Sequence, residues 1–97
     1  MPAPYSKLQD SFTLIPTPGT RIQLAASTPC AELTMTALET NVGEIVYGGA
    51  TVVAAASGRS GTPLVQGQSV TIKIDDLSKV WLDTLNANDG VSYSWLS

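Results

Sequence analysis

The chain is predicted to form one small antiparallel all-β domain, a β-sandwich with a jelly-roll-like order or a small barrel as the alternative. In residues 70–75, VTIKID, the apolar Val70, Ile72 and Ile74 alternate with polar residues. Successive side chains of a strand point to opposite faces, so this run predicts a strand with one apolar face. Gly, Pro and Asn interrupt the other apolar runs at short intervals, and no run has the 3.6-residue stripe of a helix. About eight short strands follow from this pattern.

The domain boundaries follow from the prolines near the start of the chain. Residues 1–10 are predicted to form an extended N-terminal arm, and residues 11–97 form the β-sandwich domain. Pro2 and Pro4 remove two backbone donors, and the segment has no periodicity. The arm either frays or becomes ordered against a neighbouring subunit, and both alternatives stay open.

The other strands are expected where apolar and polar residues alternate between turn formers. They are residues 12–15, 21–24, 33–37, 44–47, 51–53, 79–83 and 91–95. Gly48 and Gly49 would join two of them in a hairpin, and residues 86–90, NANDG, would join the last two. The predicted core is Phe12, Leu14, Ile22, Leu24, Leu33, Met35, Ile45, Tyr47, Val53, Val70, Ile72, Ile74, Val80, Leu82, Val91 and Tyr93.

Composition excludes several classes of partner. Only 13% of the 97 residues are charged, against about a quarter in an average soluble chain, which suits protein-facing surfaces. The net charge of -3 and the scattered cations argue against a nucleic-acid partner. The most apolar window, residues 45–56, is too short for a bilayer span, so no membrane partner is expected. Cys30 is the only cysteine and no signal peptide is recognised, so we expect synthesis in a reducing compartment.

The side chains needed for catalysis are scarce. The chain has no histidine, the commonest general base and metal ligand. Cys30 has Glu32 nearby, and a carboxylate raises a thiol pKa, so a structural thiol is expected. The acids at positions 75, 76, 83 and 89 do not match a calcium loop and are read as turn formers at strand ends. We therefore expect no enzyme, no cofactor and no metal site.

Spare apolar residues indicate an interface. Trp81 lies between Val80 and Leu82 and points away from them, so it is predicted to be an outward contact anchor. The alternative, that Trp81 packs under a loop of its own chain, stays open. The remaining interface candidates are Leu64, Val65, Leu85, Leu96 and the aromatic Tyr5.

Two long runs, residues 67–83 (GQSVTIKIDDLSKVWLD) and 90–96 (GVSYSWL), carry a resemblance together with residues 19–24 (GTRIQL) and 28–30 (TPC). They resemble small virion proteins of tailed bacteriophages, including head decoration (cement) proteins, over about residues 11–97. The resemblance implies a non-enzymatic β-sandwich made in the host cytoplasm and placed on the capsid exterior. There it would bind the major capsid protein as a trimer or dimer and stabilise capsomer contacts. The alternative is a tail- or fibre-associated β-module that binds a host glycan.

Overall fold

A computed structural model of the chain describes residues 7–97 and contains eight strands in that range. The strands are β1 (Leu8–Ile15), β2 (Ile22–Gln23), β3 (Glu32–Ala37), β4 (Ile45–Gly48), β5 (Thr62–Leu64), β6 (Ser69–Ile72), β7 (Trp81–Thr84) and β8 (Asp89–Leu96). Among the described residues, the only helical element is a three-residue 3-10 turn, Leu77–Lys79. This part of the chain therefore holds no helix of the length and apolarity that a bilayer span needs. The prediction of an all-β fold is confirmed.

The strands form two four-stranded antiparallel sheets. Sheet A has the order β1-β8-β3-β6, and sheet B has the order β2-β7-β4-β5. The pairing is nested, because β1 pairs with β8, β2 with β7, β3 with β6 and β4 with β5. This is the strand order of an eight-stranded jelly roll, so the predicted sandwich takes its jelly-roll-like form rather than that of a closed barrel.

Alternate side chains of the central strands fill the interior between the sheets. Leu33 and Met35 of β3 and Val91 of β8 form one cluster with Ile45 of β4 and Leu82 of β7, and all five are fully buried. Burying each of these side chains stabilises the fold by about 1.5–3 kcal/mol relative to exposure. The period-2 patterns of β3 and β8 therefore predict this part of the core correctly.

Two buried carboxylates anchor loops to the sheets. Asp83 of β7 accepts a hydrogen bond of 2.8 Å from the backbone N–H of Ala54. Asp89 of β8 accepts bonds of 2.8 and 2.9 Å from the N–H groups of Val42 and Gly43. A buried charge needs such partners, because leaving it unpaired would be costly. These aspartates, which we expected only as turn formers, thus hold distant loops in place.

Several predicted connections are wrong. Residues 51–53 form no strand, since Val53 makes only an isolated bridge with Ser60, and β4 pairs instead with β5. Residues 86–90 are not a hairpin, because β7 lies in sheet B and β8 in sheet A. The chain crosses from one sheet to the other here. Leu82 of β7 and Val91 of β8 therefore enter the same interior from opposite sheets. The strand predicted at residues 70–75 ends at Ile72 and lies at the edge of sheet A.

The first strand begins inside the predicted arm. Lys7 and Ser97 exchange two backbone hydrogen bonds of 3.3 and 3.0 Å, and the pairing with β8 continues from Leu8 through Asp10. The arm boundary at residue 10 is therefore corrected, because residues 8–10 belong to the sheet. Residues 1–6, the rest of the predicted arm, lie outside the described residues.

The face that β1 turns to the core is the opposite of the predicted one. Phe12 is 64% exposed and Leu14 is 40% exposed, whereas Ile15 is fully buried. Thr13 pairs with Val91, whose side chain lies in the core, so Thr13 shares the inner face. The prediction assigned Phe12 and Leu14 to the inner face of β1, whereas the pairing with β8 places both on the outer face. A shift of one residue exchanges the two faces of a strand. The other predicted core residues are buried or half-buried.

Seven of the fifteen buried apolar residues in the described part of the chain fall outside the predicted core. Most lie at strand ends, in the 3-10 turn or in loops, where the period-2 pattern is interrupted, and Val46 lies inside β4 next to the buried Ile45. They are Ile15, Ala37, Val46, Val52, Ala54, Leu64 and Leu77.

Candidate interaction surface

The outer face of sheet A carries a set of hydroxyl side chains, here called the hydroxyl face. Its members are Thr34, Thr36, Ser69, Thr71, Ser92 and Ser94. The hydroxyls of Thr34 and Thr71 lie 3.1 Å apart, and those of Thr36 and Ser69 lie 2.6 Å apart. These cross-strand hydrogen bonds order the side chains and leave an uncharged surface that can donate and accept further hydrogen bonds.

An apolar stripe runs along β1 beside the hydroxyl face. This outer stripe consists of Leu8, Phe12 and Leu14, which are 71%, 64% and 40% exposed. Leu14 pairs with Gly90, and a Cβ atom at Gly90 would lie 2.8 Å from Leu14 Cδ2. Leu14 therefore occupies space that any larger residue at position 90 would need. A group of exposed apolar side chains bordered by polar residues is typical of an interaction site.

The outer stripe faces away from the core, which is unusual for a β-sandwich without a binding partner. On the inner side of β1, Gln9, Ser11 and Thr13 are polar, and only Ile15 enters the core. Edge strands ordinarily turn their more apolar side inward, because burial stabilises apolar groups. In β1 the more apolar side faces outward, which favours coverage by a partner.

A shallow groove of about 410 Å³ separates the outer stripe from the middle of the hydroxyl face. It combines the Asp10 carboxylate and the Phe12 ring with several hydroxyls. Its lining residues are Asp10, Ser11, Phe12, Thr34, Thr36, Ser92, Tyr93 and Ser94. The groove can accept a side chain of a protein partner or a polar ring.

The outer face of sheet B, in contrast, is covered by a loop of the same chain. Val46 of β4 packs with Val52 and Ala54 of the loop between β4 and β5, and all three are buried. Arg59 secures the loop by donating bonds of 3.1 and 2.8 Å to the Ala54 carbonyl and by an ion pair of 2.9 Å with Glu44. The loop therefore covers the middle of the outer face of sheet B, whereas Phe12 and Leu14 on the outer face of sheet A stay exposed.

Trp81 belongs to this covered face. As predicted, its side chain lies on the side of β7 opposite Leu82, which is buried in the main core. Trp81 is half-buried because it packs against the cluster that includes Val52 and Ala54. These contacts favour the alternative in which Trp81 packs under a loop of its own chain.

The other predicted interface residues are scattered. Leu64 is a correction: it is 2% exposed, because its side chain on β5 packs into the main core. Val65 and Leu85 are about half exposed and follow β5 and β7 at the same end of sheet B. Leu96 is half-buried and pairs with Leu8 at the end of the outer stripe. Tyr5 lies outside the described residues.

The residues that form the outer stripe were assigned to the core or to the arm by the sequence patterns. The available signal was the alternation Leu8, Asp10, Phe12, Leu14, which is one residue out of phase with Ile15. The strand ends at Ile15, just before Pro16. Ile15 is therefore the only apolar residue in β1 that indicates which side enters the core. Phe12 and Leu14 are therefore more available to a partner than the half-buried Trp81.

The Cys30 thiol is not part of this surface. The Cys30 thiol is half-buried and donates to the Ile74 carbonyl at 3.1 Å. Burial raises the pKa of Cys30, and the carboxylates of Asp76 and Asp75 raise it further. No group of three or more potential metal ligands occurs among residues 7–97.

Searches of protein-family models, curated proteins and solved structures returned no match to this chain.

Proposed function

We propose that this protein is a non-enzymatic structural protein of a tailed-phage virion, a capsid decoration (cement) protein. In this proposal, the outer face of sheet A binds the outer shell built by the major capsid protein and stabilises contacts between capsomers. The observation that carries the proposal is the difference between the two outer faces. Sheet B is covered by its own loop, whereas Leu8, Phe12 and Leu14 on sheet A are exposed.

The chemistry of the surface suits binding to another protein. Full burial of the exposed parts of the outer stripe would contribute at most about 1.5–3 kcal/mol for each side chain. At the strand positions of this face, Asp10 and Glu32 are the charged residues, so little charge has to be desolvated. The hydroxyl face supplies hydrogen-bond partners around the apolar contact, as in the polar rim of an interface.

Two further considerations support a virion role. The resemblance of residues 67–83 and 90–96 to tailed-phage virion proteins indicates the class of particle. Jelly-roll sandwiches serve in viral capsid and lectin domains, although the fold by itself does not decide between them.

The test is binding of the purified protein to phage shells that lack it. Phe12→Ser should keep the fold and weaken binding about thirtyfold or more, because an anchoring side chain typically contributes about 2 kcal/mol. Val42→Ser is the control, since Val42 is at least as exposed as Phe12 and lies in the loop before β4, outside the outer stripe and the hydroxyl face. Wild-type affinity in the Phe12→Ser variant would contradict the proposed docking face. Counting copies in each virion tests the location, because a decoration protein should be present in hundreds of copies.

A glycan-binding module of the tail or a fibre is the second candidate. The groove beside Phe12 favours it, because an exposed aromatic ring, the Asp10 carboxylate and nearby hydroxyls are the groups that bind sugars. Binding to host glycans that is lost in Phe12→Ser, combined with few copies in each virion, would select this candidate. Shell binding with no glycan binding would exclude it.

A further inference from the structure

The free edge of β1 differs from the other three sheet edges. Sheet A ends at β1 and β6, and sheet B ends at β2 and β5. β2 has two residues, β6 has four, and β5 has three including Pro63, so each offers few open backbone groups. β1 has eight residues, contains no proline, and pairs with β8 in an unbroken register. Short strands and prolines protect a sheet edge from pairing with another chain, whereas a long regular edge strand can pair with one.

The alternation of hydrogen bonds shows which backbone groups are open. Lys7 and Ser97 exchange both of their N–H···O bonds, so every second residue after Lys7 is bonded to β8. The residues between them direct their N–H and C=O groups toward the free edge, and no other strand of residues 7–97 pairs there. They are Leu8, Asp10, Phe12 and Leu14.

We infer that the free edge of β1 binds a second copy of this chain, with the two β1 strands antiparallel across a two-fold axis at Ser11. In this arrangement Leu8 faces Leu14 of the second copy, and Asp10 faces its Phe12. All four outward residues of each copy then pair, which gives about eight backbone hydrogen bonds between the copies. The two A sheets become one continuous sheet. The inference goes beyond the virion role and does not depend on it.

Charge and backbone chemistry select this register. An axis at Asp10 would place two carboxylates directly opposite each other, which is destabilising. An axis at Phe12 would place Leu8 opposite Pro16 of the second copy, which has no N–H to donate. The axis at Ser11 avoids both problems and pairs the leucines of the outer stripe with one another.

A second copy fits the edge because β1 is self-complementary about Ser11. The outward residues read Leu, Asp, Phe, Leu, so each end of the strand supplies a leucine to the opposite end of its partner. The two outer stripes would meet at the axis and form one apolar patch. The hydroxyl faces of the two copies would lie side by side, and such a bivalent surface suits a repeating partner.

The first experiment measures the mass of the full-length protein in solution over a range of concentrations. The wild type is expected to form a dimer. Asp10→Pro should weaken the dimer about tenfold or more, since Pro removes an outward N–H but leaves the bonds to β8, and edge strands tolerate it. Asp10→Asn is the matched control and should dimerise at least as well, because the two Asp10 carboxylates lie diagonally about 7–8 Å apart across the axis.

The second experiment tests the register by crosslinking. Ser11→Cys, in a chain that also carries Cys30→Ser, should form an intermolecular disulfide under mild oxidation. Ser11 would lie opposite Ser11 of the second copy in a non-hydrogen-bonded pair. The two Cα atoms would be about 4.5 Å apart, which is within the range of a disulfide. Ser94→Cys in the same background lies away from the axis and should not crosslink.

Three results would overturn the inference: a monomeric wild type, an Asp10→Pro variant that dimerises like the wild type, or a Ser11→Cys variant that does not crosslink. A monomeric wild type with slow hydrogen exchange at the amides of Leu8, Asp10 and Phe12 would assign the edge to another segment of the same chain. Each measurement is made without phage shells, so its failure is separate from failure of the virion role.

Discussion

The side chain of Asn41 pairs with both backbone groups of Gly90. Asn41 Nδ2 donates to the Gly90 carbonyl at 2.9 Å, and Asn41 Oδ1 accepts from the Gly90 N–H at 2.8 Å. The amide thus acts like one residue of a neighbouring strand. It continues the pairing at the start of β8, just beyond the point where β3 ends. Asn41 is buried, so these bonds are shielded from water.

Asn41→Ala should destabilise the fold by about 1–3 kcal/mol, because it leaves the buried N–H of Gly90 without its partner. The free energy of unfolding in urea measures the loss. Val42→Ala is the neighbouring control, is highly exposed, and should change stability by about 0.5 kcal/mol or less. Equal stability of the two variants would show that water replaces the Asn41 amide.

Gly61→Ala should be among the more damaging small substitutions. Gly61 has φ +118°, and a Cβ atom there would lie 2.6 Å from Val52 Cγ2 and 2.7 Å from the Tyr47 carbonyl oxygen. Gly58 also has a positive φ, +76°, but has open space around it. Gly58→Ala should therefore cost about 1–2 kcal/mol for the backbone conformation alone.

Gly61→Ala also has a backbone cost, and overpacking should add about 1–3 kcal/mol to it. Thermal unfolding of both variants and of Gly49→Ala, where the added methyl meets nothing within 4 Å, gives the comparison. If Gly61→Ala and Gly58→Ala unfold at the same temperature, the loop moves to make room for the methyl group.

Asp76 should make the stability of the fold depend on acid pH. The backbone N–H of Ser78 and then that of Thr28 donate to its carboxylate, and they lower the Asp76 pKa from 3.8 to about 2. Because the folded pKa is the lower one, this contribution is present above about pH 4 and is lost as pH falls through about 2.

The stability difference between the wild type and Asp76→Asn isolates this effect. It should be constant above about pH 5 and shrink between about pH 4 and pH 2. Lys79 also lowers the pKa of Asp75, but Asp75 is present in both proteins, so the difference contains only the part of its titration that the Asp76 charge alters. A difference that does not change with pH would mean that the bonds from Ser78 and Thr28 persist after protonation.

Cys30 should react slowly with thiol reagents while the protein is folded. Its pKa is raised by burial and by Asp76 and Asp75, so little thiolate is present at neutral pH. Labelling at pH 7 should be slower than in denaturant, and Asp76→Asn should label faster than the wild type. Asp10→Asn, far from the thiol in sheet A, is the control and should not change the rate. Equal rates in the native and denatured protein would contradict the prediction.

The local alternation of the sequence was sufficient for the fold class and for much of the core. Leu33 and Met35 of β3 and Val91 and Tyr93 of β8 were assigned correctly because both strands present a clean period-2 pattern to a shared interior. The order of side chains along a strand is a property of neighbouring residues, so it is readable without knowing the partner strand.

The tertiary structure alone decided which strands pair and which side of β1 faces outward. In the sequence, the apolar Phe12 and Leu14 predicted a core face. In the fold, Leu14 lies opposite Gly90 from the far end of the chain, and this register turns Phe12 to the outside. The loop that covers Trp81 is likewise held from a distance, by Asp83 and the backbone N–H of Ala54. Both outcomes depend on contacts between residues distant in the chain, and a shift of one residue in such a pairing exchanges the buried and the exposed face.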